Sequence, residues 1–440
     1  MLPYTRIADT LDLAYHAATR AEKVNALAWL LKSLHPELLR PSVRLLLGGL
    51  WPSWEPRQMG VGPETVQDAL AELSGGKRYK DGDDLGSLAE VLIRDSPQRI
   101  LFLSPSDAIF VYDTLRLISE QGGVRSLHRK KALLKGLLLN ATPSESKYIV
   151  RAVLGKMNVG VGPSLMLEAI SKTFGVDQIQ VQDAYARLPE LGLVALTASR
   201  KELATVKIAP PTPVRLMIMG RANDFHEATR TIPGAAYVVR YGGLRLQMHK
   251  VEDRMFFYTN RLRNVSLWDL AKDAMDLKGD LVMEGELILT ADRKMQPFSE
   301  LVRYINRKDS PGRVQDGPGP SLMVTDLLYQ GGEELVHLGY AHRRKRLIGV
   351  LGDAKEPFSG GITLAEERLL ESAAQVEEWH RDLVSRGFGG LVMHDLDAPY
   401  ALGSKSERSL ILAKEIRMPD PLIRSDEFRS SRTEDGDHPG

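Results

Sequence analysis

The chain has 440 residues, 43% hydrophobic and 26% charged, which is enough for two or three domains with sizeable cores. It contains no cysteine, so disulfides, thiolate zinc sites and cysteine nucleophiles are excluded. No basic-then-apolar leader and no run of about 18 apolar residues is present, so a soluble, cytoplasmic protein without a membrane partner is expected. The formal net charge of +1 leaves the case for nucleic acid to the distribution of charge.

Residues 1–207 read as helices. Apolar residues recur at three- and four-residue spacing in Ile7–Leu31, Ala108–Glu120, Lys147–Leu154 and Ser164–Phe174. Ser104-Pro105-Ser106-Asp107 and Thr142-Pro143-Ser144-Glu145 supply side chains that can cap free backbone N–H groups at helix starts. An internal echo is present. Gly60-Val61-Gly62-Pro63, followed by Asp68-Ala69-Leu70, returns as Gly160-Val161-Gly162-Pro163, followed by Glu168-Ala169-Ile170. One copy alone reads as an ordinary helix start. Two in equivalent settings suggest a pseudo-symmetric helical domain whose loops, each at a helix N-terminus with unpaired N–H groups, could hold phosphates.

The segment Arg116–Lys156 is strongly basic. It carries Arg116, Arg125, Arg129, Lys130, Lys131, Lys135, Lys147, Arg151 and Lys156 against Glu120 and Glu145. This is either a solvated face or a phosphate-binding surface, and Arg129-Lys130-Lys131 with Arg151 could frame the second glycine loop. Gly60, Gly62, Gly160, Gly162, Arg129, Lys130, Lys131, Lys147, Arg151 and Lys156 are therefore the candidate DNA contacts.

Pro210-Pro211-Thr212-Pro213 is a stiff, non-helical connector near the start of a second domain, 208–418. Its runs Ala236–Val239, Leu244–Met248, Met255–Tyr258, Leu281–Leu289, Leu322–Tyr329 and Gly390–Met393 predict strands. Helical patterns at Leu267–Met275, Arg343–Val350 and Leu364–Arg386 make it an α+β domain. Residues 419–440 are polar and charged, and a disordered tail is expected.

These residues carry a family resemblance. Trp51-Pro52-Ser53-Trp54-Glu55, the first glycine loop and the run from Lys147 to Gly162 resemble the helical DNA-binding domain of archaeal and eukaryotic ATP-dependent DNA ligases. Arg240-Tyr241-Gly242-Gly243-Leu244-Arg245, Asn260-Arg261, Met283-Glu284-Gly285-Glu286, Asp326-Leu327-Leu328-Tyr329, Arg343–Leu347 and Gly389–His394 resemble their adenylation domain, a nucleotidyltransferase fold, in order. The family's third, oligonucleotide-binding domain is expected to be missing, since about 23 residues follow Arg417.

The resemblance implies three-step chemistry that begins with a lysine attacking ATP beside a metal ion. Here the lysine position is Arg240, and a guanidinium has no free lone pair suited to attack phosphorus. An acidic residue that reads adenine is replaced by Val238, an aspartate by Gly242, and the aromatic that stacks on adenine by Thr325. The metal-binding glutamate is replaced by Gly389 and the next lysine by His394. The closing lysines fall at Ser409–Ala413, with Lys414 as a rescue if the register is off by one. Lys250 is the nearest substitute amine. Arg245 and Glu286 are retained, as nucleotide contacts or as a buried Arg–Glu pair of the fold.

Other constellations are weak: the histidines are scattered without metal-ligand spacing, and no Walker loop occurs. The expectation is a pseudo-ligase that binds double-stranded DNA, nicked or with ends, in repair, processing or defence, nucleoid-associated and with possible protein partners. No metal is expected, and ATP and magnesium only if ligation survives. Two alternatives stay open: a protein-interaction subunit that keeps the fold, and a residual ATP-dependent DNA ligase.

Overall fold

The apolar spacing of the first half resolves into eleven helices in the computed structural model, which describes residues 2–76, 84–95, 106–222, 224–292, 294–306, 319–352 and 360–412. The chain divides into two units, Met1–Lys207 and Ile208–Gly440. The first contains α1 Tyr4–His16, α2 Arg20–Lys32, α3 Pro36–Leu47, α4 Pro63–Leu73, α5 Leu85–Asp95 and α6 Ala108–Glu120. It continues with α7 Ser126–Leu139, α8 Pro143–Leu154, α9 Pro163–Phe174, α10 Gln178–Arg187 and α11 Leu191–Ser199.

Caps decide the boundaries. The single stretch expected over Ile7–Leu31 is two helices, because Thr19 and Glu22 form a reciprocal capping box that starts α2. Thr142 and Glu145 do the same for α8, and Asp107 caps α6 by accepting from Ile109 N. Ser104 and Pro105 lie outside the described residues.

The sequence echo extends to the whole unit. The starts of α1 and α6 face each other across an antiparallel bridge, with Tyr4 N donating to Ser106 O and Ala108 N to Leu2 O, both at 2.7 Å. Helix α2 then packs on α9 and α7 on α4, while α11 packs on α3 and α5 on α8. Each half thus lays its helices on the other, around one continuous core. Gly60 and Gly160 have φ of +61° and +66°, the left-handed region that an L side chain rarely adopts. Buried positions repeat at the same offset, Val66, Ala69 and Leu70 in α4 against Met166, Ala169 and Ile170 in α9.

The second unit holds thirteen described strands and five helices. In chain order these are β1 Ile218–Arg221, α12 Phe225–Thr231, β2 Ala236–Arg240, β3 Leu244–Val251, β4 Arg254–Thr259, β5 Asn264–Val265, α13 Trp268–Asp273 and β6 Leu281–Ala291. After them come β7 Lys294–Met295, α14 Phe298–Asn306, β8 Gly319–Gln330, β9 Glu333–Glu334, α15 Tyr340–Leu351, β10 Gly361–Leu364, β11 Glu367–Leu369, α16 Ala373–Ser385, β12 Gly390–His394 and β13 Lys405–Leu412.

One sheet has the order β1-β13-β12-β2-β11, and the other β10-β8-β6-β3-β4-β5 with β7 on β6 and β9 on β8. A core of aliphatic residues packs on the larger sheet, and a second combines residues of both sheets, including Tyr237, Val239, Ile288, Met323 and Met393. The helix expected over Leu364–Arg386 is shorter. Leu364 closes β10, Glu367–Leu369 pairs with β2, and α16 starts only after the Ser372 cap. Strand pairing and a capping box outrank the apolar spacing there.

A buried ion pair joins the large sheet to α15. Arg343, 1% exposed, donates from Nε and Nη2 to the two carboxylate oxygens of Asp326 at 2.8 and 2.9 Å. Asp326→Ala should therefore destabilise the chain by about 3–5 kcal/mol, because it strands a buried cation. Urea unfolding of the variant measures this, and a loss under about 1 kcal/mol contradicts the assignment.

Two histidines are buried neutral. Burial pushes His249 down to about 3 and His394 down to about 4, from an ordinary value of 6.5. The unfolded chain binds more protons in that interval, so stability falls as pH drops from 6.5 towards 4. Denaturant midpoints between pH 7 and 5 should decline steadily, and a flat profile would show that these imidazoles accept protons in place.

Candidate nucleic-acid interface and nucleotide cleft

The two glycine loops each hold a lysine. A Cβ at Gly60 would stand 2.5 Å from Lys130 Nζ, and one at Gly160 would stand 2.9 Å from Lys23 Nζ. Lys130 comes from α7, the helix that packs on α4, and Lys23 from α2, the helix that packs on α9, so the pair follows the internal two-fold. Lys130 Nζ also donates to Met59 O at 2.8 Å. Gly62 and Gly162 are the N-caps of α4 and α9 and carry no side-chain cap. Each glycine loop thus joins an ammonium group at its first glycine to a helix start without a side-chain cap, features that suit a phosphate oxygen.

The remaining basic residues sort differently from the sequence expectation. Lys130 serves the first loop, and the second loop takes Lys23, which sequence reading missed. The signal was there: Lys23 and Lys130 occupy matching helices of the repeat. Lys147 and Arg151 are interior, not surface, residues. Lys147 bonds Asp12 at 2.9 Å and lies 3.6 Å from Glu90. Arg151, 4% exposed, pairs with Asp84 and donates to Met157 O. Their charge is needed inside because α8 packs against α1, which carries Asp12, and α5, which carries Glu90 and follows Asp84. Lys131 shares Glu72 with Lys135, and the two ammonium groups hold that carboxylate down to about 2. Arg129 is exposed and binds the carbonyls of Gly122 and Val124, and Lys156 is exposed.

In the second unit, the turn Tyr241-Gly242-Gly243 carries the chain from the small sheet to the large one. Arg240 ends β2 opposite Gly390, and its carbonyl accepts from Gly389 N at 2.8 Å. Gly242 has φ +77°, and a Cβ on Gly389 would meet the Gly242 backbone at 3.2 Å. Glu286 of β6 accepts from Gly242 N at 2.8 Å and Gly243 N at 3.2 Å. Burial raises its pKa despite the opposing pull of Arg240 and the two amides.

The expected Arg245–Glu286 pair does not form. Across the β3–β6 ladder Arg245 faces Glu286, yet its guanidinium reaches diagonally to Glu284 and to Met217 O at 2.8 Å. The two glycine amides claim Glu286 instead, with Arg240 Nε 4.0 Å away. Tyr400 completes the arrangement by donating to Glu284.

A cleft of about 530 Å³ opens at this point. Its polar lining is Arg215, Arg221, Arg240, Arg245, Asn260, Arg261 and Glu286, and its apolar walls include Leu216, Met217, Val392 and Ile411. No lysine lines it. Val238 is buried in β2 between β11 and β12. Thr325 donates to Glu284 O at 3.2 Å. His394 is buried, stacked on Tyr340 at 4.4 Å and hydrogen-bonded to Ser409. Lys250 lies buried at the far end of β3, bonded to Glu252 O. Lys414 falls outside the described residues. Among the described residues no group of three or more His, Cys, Asp or Glu is placed to hold a metal ion. Among the described residues the one carboxylate lining the cleft, Glu286, already accepts two N–H groups, so these residues do not fit a divalent cation with a triphosphate.

Comparison with known proteins agrees with the architecture. Residues 3–171 match the family "DNA ligase N terminus" and residues 216–412 the family "ATP dependent DNA ligase domain". The DNA ligase of Methanoculleus marisnigri is 31% identical over 395 residues, 87% of this chain and 70% of that protein. The DNA ligase of Thermococcus fumicolans is 29% identical over 447 residues, covering 98% and 79%. The solved structure "Pmar-Lig_PreS3" aligns with a TM-score of 0.56 at 12% identity, over 93% of this chain and 78% of that one, a likeness of fold. With a helical N-terminal domain followed by an α+β nucleotidyltransferase domain, this chain belongs to the ATP-dependent DNA ligase family.

Proposed function

We propose that this ligase-family chain binds duplex DNA, nicked or at broken ends, without adenylating itself, as a DNA-repair, processing or defence protein of the nucleoid. The observation that carries the reading is a nucleotide cleft with no lysine among the described residues of its lining and with Arg240 where the family resemblance expects the nucleophile. Two further features support it. Gly242 takes a backbone conformation that disfavours an aspartate, and Gly389 lies against it where a glutamate is expected. The DNA half of the proposal rests on the two lysine-filled glycine loops. Such contacts hold the backbone and do not read sequence.

Incubation with labelled ATP and magnesium or manganese should leave no protein–AMP adduct. Arg240→Lys should not restore one, because Gly242, Gly389 and His394 stay as they are. An adduct on the unaltered chain refutes the reading and returns it to an ATP-dependent ligase.

The interior placement of Lys147 and Arg151 favours a second reading, a protein-interaction subunit that keeps the fold without gripping DNA. Salt titration of duplex binding separates the two. Each neutralised phosphate contributes about −0.9 to the log–log slope, so Lys23→Ala should flatten it by about one unit and weaken binding equally on all sequences. Absence of duplex binding at physiological salt supports the scaffold.

A further inference from the structure

The turn between α6 and α7 exposes apolar side chains that neither the glycine loops nor the cleft uses. Val124, at its centre, is 88% exposed, and Leu117 in the last turn of α6 and Leu127 in the first turn of α7 are 44% and 53% exposed. The turn is nevertheless held in shape. Arg129 donates to Gln121 Oε1 at 3.1 Å, to Val124 O at 2.9 Å and to Gly122 O at 2.6 Å, and Gln121 Nε2 donates to Leu117 O at 3.1 Å. Gly123 and Arg125 hold φ at +74° and +59°, and an arginine keeps such a left-handed conformation only where its surroundings fix it. One guanidinium thus braces a short connection that presents an apolar side chain to solvent.

Charge indicates what covers this surface. The stretch Gln121–Ser144 contains no Asp or Glu but holds Arg125, Arg129, Lys130, Lys131 and Lys135. Lys131 and Lys135 are met by Glu72, Lys130 lies at the first glycine loop, and Glu120 stands 3.7 Å from Arg116. Arg129 spends its donors on neutral oxygens, and neither it nor the exposed Arg125 is met by a carboxylate among the described residues. A phosphate backbone would use these two cations but leave Leu117, Val124 and Leu127 uncovered. Clustered exposed apolar side chains with a charged rim mark a protein contact, and the rim selects a partner of opposite sign. We propose that the α6–α7 turn is a docking surface for a second protein, through a segment whose apolar side chains lie among carboxylates. Val124 is the central anchor, Leu117 and Leu127 flank it, and Arg125 and Arg129 attract the carboxylates. Because Arg129 fixes the turn beforehand, little ordering cost is left to the encounter. The inference goes beyond the proposed function and depends neither on the loss of self-adenylation nor on DNA binding.

The test uses the full chain and three labelled synthetic peptides in anisotropy titrations. The first places Leu at three- and four-residue spacing with Glu between, the second has Lys for Glu, and the third has Ala for Leu. The first should bind about tenfold more tightly than either control, since it alone supplies both the apolar contact and the matching charge. Val124→Ser should weaken that binding about tenfold and leave the far-UV circular dichroism unchanged, because the side chain is exposed. Arg129→Lys keeps the charge and loses the fork, so it should weaken binding about threefold. No binding of the acidic peptide, equal binding of the lysine version, or a Val124→Ser variant that binds as tightly as the parent overturns the inference. Duplex affinity is measured on the same variants. A Val124→Ser variant that loses duplex binding along with peptide binding also overturns it, because the surface then belongs to DNA. Peptide binding lost with duplex binding unchanged supports it, and the proposed function then stands or falls on its own adduct and salt titration.

Discussion

The grip of one carboxylate on two adjacent amides sets the geometry of the second unit. Glu286 of β6 accepts from Gly242 and Gly243, in the turn where the chain leaves the small sheet for the large one. Gly243 comes so close to β6 that a Cβ there would stand 2.2 Å from Leu287 O, and Gly242 holds φ at +77°. A side chain at either glycine therefore works against the close approach of the two sheets. Arg240 is delivered to the cleft by this turn, and Gly389 packs behind it. The glycines are consequently part of how the sheets meet, and a side chain at Gly243 cannot be added without moving backbone.

The helical unit depends on a different constraint, the internal two-fold. Because each half packs its helices on the other, the two glycine loops acquire their lysines from partner helices in the same way. The left-handed glycine leaves space beside the backbone, and the ammonium group fills it. The symmetry therefore yields two matching glycine loops on one continuous core, each with an ammonium group beside its first glycine.

Much of this was legible in the sequence because it depends on local signals. The strands over 236–240, 244–251 and 281–291 follow runs of apolar residues, and the repeat was visible as two copies of one tetrapeptide. The failures came where long-range partners decide. A basic run says nothing about which members face inward, and Lys147 and Arg151 point at Asp12, Glu90 and Asp84, carboxylates at least fifty residues away in the chain. Arg245 and Glu286 read as nucleotide contacts or as a buried pair, but the glycine amides hold Glu286 and Arg245 pairs with Glu284. Lys23 carried no signal except its place in the repeat.

The pattern of what survives follows from desolvation. In Asp326–Arg343 both partners are 4% exposed or less, and in Arg245–Glu284 the carboxylate is 2% exposed, so losing the cation of either pair leaves a charge that the interior cannot stabilise. Such pairs persist whatever the cleft does. A nucleophile or metal ligand at the cleft wall is held there only by the chemistry it performs, and its replacement by arginine or glycine costs the fold little. Arg245 belongs to the first class through Glu284, whereas Arg240 stands 4.0 Å from a carboxylate that two backbone amides already hold.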